Sequence, residues 1–332
     1  LLLVAAFLSF NPMLFKASAI VFGIGISLFV GAALAAFIGV PSTSETIQGL
    51  KFALFGLSVT IALGVALAAA LGWSLGVPLM QLADTHAVWG LVGWASVLLA
   101  SVSYVVVPMF QLTPAYPQWF SSYFSGAALL AVGVWTLADY AGWMLAGQLS
   151  AFAVLVVVAA YAFVTLRIQW QSKRPHMDAT QWYWRSAMFS ALAACALWLA
   201  ALRVEAVGAW APWQLVCGVL LLFGCFMSVM TGMLYKIVPF LIWLHLQNQG
   251  QGRAMAPNMK KYIAEPAMMR QMALHFAACG AMLLAVFWPE CGVYPAALLL
   301  FVSNVLLLRN LFSALAVYRS HLLHLESLPR SS

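Results

Sequence analysis

Asp84-Thr85-His86-Ala87-Val88-Trp89-Gly90-Leu91-Val92-Gly93-Trp94 opens an apolar run that continues to Tyr104-Val105-Val106-Val107-Pro108-Met109-Phe110. Residues 86, 90, 93, 97, 100, 104 and 108 step by fours and threes, a spacing that puts them on one helical face. From His86 to Pro108 a helix rises about 33 Å, the thickness of a hydrocarbon core. The run therefore reads as a transmembrane helix with a histidine at its mouth and a proline at its far end.

Composition carries the same reading to the whole chain. Of 332 residues, 65% are apolar and 7% charged. A soluble domain carries about 25% charged residues, so this chain cannot solvate a globular surface and belongs in a lipid bilayer. Period-two alternation, the mark of a closed barrel, is absent, which leaves an all-α bundle. The net charge of +7 sits mostly in a few loops and at the C-terminus; it carries topology and gives no case for nucleic acid. Cys195, Cys217, Cys225 and Cys279 lie in apolar runs, Cys291 reads as a loop residue, and no CxxC occurs. Neither a disulfide framework nor a zinc site is indicated. P-loop, HExxH and nucleophile-elbow motifs are also absent.

Apolar runs bounded by Pro, Gly and polar residues predict nine full spans: 16–38, 49–73, 86–108, 121–141, 145–169, 185–203, 212–245, 267–288 and 293–317. Leu1 to Phe10 is too short to cross a bilayer and reads as the tail of a tenth span, its beginning absent, rather than a signal peptide. Basic residues at Arg167, Lys173, Arg174 and Arg185, at Arg253, Lys260, Lys261 and Arg270, and at Arg319 and Arg330 fall on one side of such a bundle. That side is expected to be cytoplasmic, with the C-terminus. Lys16 and Arg203 are exceptions at outer span ends. His86 then lies at the outer edge and Pro108 at the inner edge.

An internal echo organises the chain. Ser103-Tyr104-Val105-Val106-Val107-Pro108-Met109-Phe110 resembles Leu234-Tyr235-Lys236-Ile237-Val238-Pro239-Phe240-Leu241, an offset of 131 (235 − 104). At that offset Gly93 meets Gly224, and His86 meets Cys217. From one copy to the other the span list advances by four, so both run in the same direction, as in parallel repeats. A Tyr-x-x-x-Pro helix end is otherwise an interfacial anchor followed by a kink. The repeat reading makes 1–332 a single membrane domain with remnants at 1–80, 81–211 and 212–332, and twelve helices in three groups of four as the complete architecture.

Three parallel four-helix groups are the build of heme-copper oxidase subunit I. The His-x3-Gly-x2-Gly-Trp segment and the Tyr-x3-Pro-Met-Phe that follows resemble helices of subunit-I-like proteins such as the NnrS group of heme-containing bacterial membrane proteins linked to nitric oxide stress. Gly232-Met233-Leu234-Tyr235-Lys236-Ile237-Val238-Pro239-Phe240-Leu241-Ile242-Trp243-Leu244-His245 has the same flavour. The resemblance implies a bacterial inner-membrane protein, heme as cofactor, a small gas or an electron carrier as partner, and His86 as heme ligand. It departs from the oxidases in its histidines. The dinuclear oxidases need six in the membrane; here His176, His321 and His324 sit in basic loop or tail segments, leaving His86, His245 and His275 with no His-His pair. An oxygen-reducing centre is excluded.

Other readings stand beside each candidate. His86 is either a ligand, with Gly90 and Gly93 leaving room for a flat macrocycle, or a hydrogen-bonded interfacial histidine whose glycines serve close helix packing. His245 reads as a cap or headgroup contact at a span end, and His275 as a packed, hydrogen-bonded histidine near the inner end of its helix; both are weaker alternates for a ligand. Tyr104, Tyr235, Lys236 and Asp139 are polar in-membrane candidates. For Lys236, snorkelling is set against a role in proton entry; Asp139 reads as a solvated span end. Asn304, mid-span, needs an internal partner. Trp73, Trp89, Trp119, Trp143, Trp182, Trp184, Trp210 and Trp288 read as an aromatic belt. Met268, Met269 and Met272 read as packing. The competing functional classes are a transporter or permease without cofactor, and a structural subunit of a respiratory complex.

Overall fold

The computed structural model describes residues 1–250 and 257–327. Among these, every regular element is helical. In chain order they are α1 (Leu2–Ser9), α2 (Pro12–Phe37), α3 (Glu45–Trp73), α4 (Leu79–Gln111), α5 (Gln118–Tyr140), α6 (Met144–Trp170), α7 (Ala179–Arg203), α8 (Trp213–Gln249), α9 (Glu265–Phe287) and α10 (Pro289–Ser327), with a single turn at Glu205–Gly208. Helices α2 to α10 are each long and apolar enough to cross a bilayer, so the nine expected spans are present. Large apolar side chains such as Phe22, Leu130, Phe163, Phe301 and Phe312 are exposed on their outer faces, as the lipid phase requires.

Helix ends follow local chemistry. Ser44 caps α3 by accepting from the Ile47 amide, and Asp178 caps α7 by accepting from the Gln181 amide. Pro12 starts α2 just after Asn11, whose side chain takes the Met13 amide. Such caps satisfy donors that have no intrahelical partner.

Two helices hold a segment that sequence reading does not anticipate. Trp89–Ser96 within α4 and Val219–Met227 within α8 are π-helical. In each, a serine at the end of the widened segment bonds a carbonyl five residues back: Ser96, its last residue, donates to Leu91, and Ser228, the next residue, to Phe223. The hydroxyls cover carbonyls that the widened turns displace from the regular ladder, which matters where water is scarce.

The chain forms two compact units, Leu1–Val164 and Thr165–Ser332. In unit 1, α3 packs on α2, α4 and α5. Gly56 lies against the Gly93 backbone, so close that a Cβ would overlap its carbonyl; Gly49 lies equally close to the Ser101 side chain. In unit 2, α7 packs on α8 and α9, and α10 on α8 and α9. There a Cβ on Gly224 would come within 2.7 Å of Ser190 Oγ, and one on Gly232 within 2.7 Å of Tyr183 Cβ. Met268, Met269 and Met272 pack into the unit 2 core with Tyr235, Tyr262 and Leu246.

Several expectations are corrected. His86 is not at a helix mouth, because α4 begins at Leu79, two turns earlier. Cys291 lies in α10 and not in a loop, although it is exposed. Trp89 and Trp184 are not belt residues: both are buried, and Trp89 donates to Thr136 Oγ1 at 3.0 Å. Trp73, Trp119, Trp143, Trp182 and Trp288 are exposed, as a belt requires. Asn304 finds its partner in its own helix, the Leu300 carbonyl. Arg253 and Arg330 lie outside the described residues.

Candidate functional site

Two sites deserve description, one in each unit. In unit 1 the His86 imidazole sits between α3 and α4. Its Nδ1 lies 3.0 Å from the Thr60 carbonyl. A carbonyl only accepts, so Nδ1 carries the proton and Nε2 keeps its lone pair. This is how ligating histidines are commonly oriented, by a bond from the other ring nitrogen. Gly64 makes the fit possible, since a Cβ there would stand 2.9 Å from His86 Cε1. His86 also lines a cavity of about 240 Å³ bounded by Phe7, Phe15, Phe22, Val65 and Leu71 from α1, α2 and α3.

These residues fit one half of a heme site. The nitrogen chemistry of His86 suits an axial ligand, but no other nitrogen or sulfur ligand lines the cavity. Its volume lies below the roughly 300–1,000 Å³ of pockets that enclose drug-sized ligands, and it is partly open rather than enclosed, so a macrocycle would be only partly held by it. The room expected beneath His86 is also filled. Gly93 is taken by the close approach of Gly56 and by the ring of its own Trp89, and Gly90 meets the Thr60 methyl. The glycines serve helix packing.

Unit 2 holds a buried polar cluster. Gln271 of α9 accepts from the Tyr183 hydroxyl at 2.6 Å and the Tyr235 hydroxyl at 3.0 Å. Its amide nitrogen donates to Ser303 Oγ at 3.1 Å. Asn310 donates to the Tyr235 oxygen at 2.9 Å. One turn past Gln271 comes His275, fully buried, with Nε2 2.8 Å from Ser228 Oγ. The hydrogen-bonded, packed reading of His275 therefore holds. Its placement does not: it is the middle of α9, ten residues from either end to within two, rather than near the inner end. Lys236 reaches the capping residue at the start of α7. There it binds Asp178 at 2.6 Å, and Arg174 binds the same carboxylate oxygen at 2.6 Å.

The remaining candidates scatter. Asp139 is exposed and accepts from Gln81 at 2.8 Å. His245 is exposed, edge-on to Tyr318, and lies a turn inside the end of α8. Tyr104 packs against Tyr116, and its buried hydroxyl has no protein partner. Among the described residues no group of three His, Cys, Asp or Glu is placed to hold a metal ion.

Sequence reading singled out His86, His275, Tyr235 and Lys236, and missed Gln271, Tyr183, Ser228, Ser303 and Asp178. A polar residue inside an apolar run is the signal that finds Gln271 and Ser228. No protein-family model matches this chain, no curated protein matches it, and no solved structure matches it.

Proposed function

We propose that the chain is a multi-pass bacterial inner-membrane protein, built like heme-copper oxidase subunit I and the NnrS group. In this reading its heme site is reduced to a single ligand, His86. It handles a small gas or a membrane-borne electron carrier and does not reduce oxygen.

The repeat that underlies this reading is supported by paired contacts. In unit 1, α3 meets α4 at Gly49–Ser101, Gly56–Gly93 and Thr60–His86. In unit 2, α7 meets α8 at Tyr183–Gly232, Ser190–Gly224 and Ala194–Cys217. The three first partners are all displaced by 134 (183 − 49, 190 − 56, 194 − 60), and the three second partners all by 131 (232 − 101, 224 − 93, 217 − 86). The caps Ser44 and Asp178 obey the first offset too, and the ends of α5 and α9 share a third, 147 (265 − 118, 287 − 140). Cys217 even repeats the bond of His86, donating to the Ala194 carbonyl at 3.7 Å as His86 Nδ1 does to Thr60. On these offsets α3–α5 and α7–α9 are two copies, with α2, α6 and α10 opening three successive groups.

The observation that carries the functional reading is the His86–Thr60 bond at the wall of an apolar cavity. It leaves one imidazole nitrogen available in a site lined, apart from the buried Ser18 hydroxyl, by apolar side chains. A bound heme would supply gas binding or electron transfer. The test is a reduced-minus-oxidised spectrum and heme assay on the purified full chain, beside His86→Ala. Heme bands lost in His86→Ala are expected; bands that survive the substitution, or no bands in the parent chain, refute the heme assignment.

A cofactor-free permease is the second reading, and the buried polar cluster of unit 2 favours it. Polar groups in the interior of a membrane bundle commonly mark substrate or ion routes.

A further inference from the structure

The offsets that relate the two units also show what the unit 2 cluster replaces. Asp178, Tyr183, Ser228, Lys236, Gln271 and His275 correspond to Ser44, Gly49, Val97, Val105, Phe124 and Ala128. Only Tyr235 has a like partner, Tyr104. In unit 1 the middle of the cell is dry: Ala53, Val97 and Ala128 pack together. The same three helices close there around Ser101, Ser103 and Ser125, with no histidine, glutamine or charged side chain at the matching positions. Burying a histidine, a glutamine and an ion pair costs free energy that unit 1 does not spend at those positions, so packing three helices together does not by itself call for them.

The cluster has a direction. Asp178 and Lys236 lie where α7 begins, on the side of the basic loops. Tyr235 adjoins Lys236 and meets Gln271 beside Tyr183. His275 follows one turn deeper, with Ser228 two turns from Tyr235 along α8. The string runs from one edge to the membrane interior and ends at His275.

The histidine is set up in one tautomer. The Ser228 hydroxyl proton goes to the Phe223 carbonyl at 3.0 Å, so Ser228 Oγ accepts from Nε2–H. Nδ1 is then a bare lone pair, fully buried and with no donor. The groups facing the ring are Tyr183 from α7, edge-on at 5.2 Å, Ser228 and the Phe223 carbonyl from α8, and Phe276 and Cys279 from α9, with Sγ 3.6 Å from Nε2. Tyr183 and Cys279 are the titratable ones; no Asp, Glu, Lys or Arg side chain among the described residues is bonded to it. The Gln271 amide accepts from both tyrosines and cannot pass a proton on without changing its bonding, so Tyr183, Gln271 and Tyr235 form a plug between the edge and the histidine.

We propose that His275 Nδ1 is a proton-binding site in the membrane interior, reached from the Asp178–Lys236 edge through the Tyr183–Gln271–Tyr235 plug. A proton from water at that edge forms an N–H bond at Nδ1. The charge is then shared with Nε2–H, which faces Ser228 Oγ and, behind it, the Phe223 carbonyl freed by the π-helical turn. No electron transfer or second reactant is needed. This site is independent of His86 and of any heme.

The test uses the full chain, labelled with ¹⁵N-histidine and reconstituted in liposomes, with the His275 signals assigned by their loss in His275→Ala. That variant and Gln271→Phe install residues that unit 1 already accommodates. As the bath goes from neutral to strongly acidic, the Nδ1 signal is expected to move from the bare to the protonated position. Exchange of the site with solvent deuterium is expected to speed up about tenfold in Gln271→Ala and to slow in Gln271→Phe. A signal that stays at the bare position, or an exchange rate unchanged by both variants, overturns the proposal.

Discussion

Gly56 of α3 lies directly against the carbonyl of Gly93 in the π-helical turn of α4, with no room for a β-carbon between them. The neighbour is backbone and cannot swing aside. Gly56→Ala is therefore expected to cost about 1–3 kcal/mol through overpacking. Gly25→Ala, in α2 with open space around it, is expected to be neutral or to gain about 0.5–1 kcal/mol from lower chain entropy. Thermal unfolding of the two variants in one detergent separates these outcomes; equal melting temperatures would contradict the close approach.

Asp178 joins three elements by capping α7 and binding both Arg174 and Lys236. Asp178→Asn keeps an N-cap acceptor but leaves two cations facing a neutral group. A loss of about 1–3 kcal/mol is expected, with part restored when Lys236→Met is added. A double-mutant cycle by denaturant unfolding measures the coupling. Strictly additive losses would mean that the pair contributes nothing.

Gln271 satisfies two tyrosine hydroxyls at once. Gln271→Leu strands both, at about 1–3 kcal/mol for each buried group left without a partner. Adding Tyr183→Phe removes one stranded hydroxyl, so the double variant is expected to be no less stable than Gln271→Leu alone. A double variant much weaker than either single one would show that the tyrosine is held by something other than Gln271.

Cys291 is the exposed cysteine, while Cys217 and Cys225 are buried and Cys195 and Cys279 half-buried. It sits at the first turn of α10, at the opposite end of that helix from the C-terminal residues. With the basic loops inside, a membrane-impermeant maleimide applied to the outer face of oriented vesicles is expected to label Cys291 and little else, and Cys291→Ser is expected to abolish the labelling. Labelling only from the basic-loop side would invert the topology.

The spans were legible because length and apolarity are set by bilayer thickness, and Pro, Gly and polar residues mark their ends. The proposed repeat is legible in α4 and α8, where Gly93 and Gly224, Tyr104 and Tyr235, and Pro108 and Pro239 share identities. It was hidden in α3 and α7: Gly49 and Tyr183, Gly56 and Ser190, and Thr60 and Ala194 occupy matching contacts with no residue in common. Close packing there exchanges bulk across the interface, glycine on one helix in unit 1 and on its neighbour in unit 2, and identity is lost while geometry is kept.

The sites were legible as residue types more than as places. His86 could be named, but its partner is a carbonyl on another helix, which no motif encodes. His275 read correctly as hydrogen-bonded, yet its depth was wrong because α9 starts two residues earlier and ends one earlier than the apolar run suggests, which centres it beside His275. Lys236 looked like a snorkelling side chain because Asp178 lies 58 positions away in sequence. Neither π-helical segment leaves a mark in residue periodicity: the buried residues Val88, Val92, Ser96 and Ala100 step by four straight through the one in α4.

Those widened turns have a mechanical meaning. Each α-helical residue advances the chain by about 100° around the axis, so a helix that absorbs or expels one residue at a π turn rotates everything beyond it by that angle. In α8 the part beyond the turn carries Tyr235, Lys236 and Pro239, and the part before it carries Cys217. The Ser228 hydroxyl, clasping the Phe223 carbonyl, is the catch on that swivel, and it is the same hydroxyl that His275 holds. Whatever changes the hydrogen bonding of the histidine thus acts on the torsional phase of half a membrane helix.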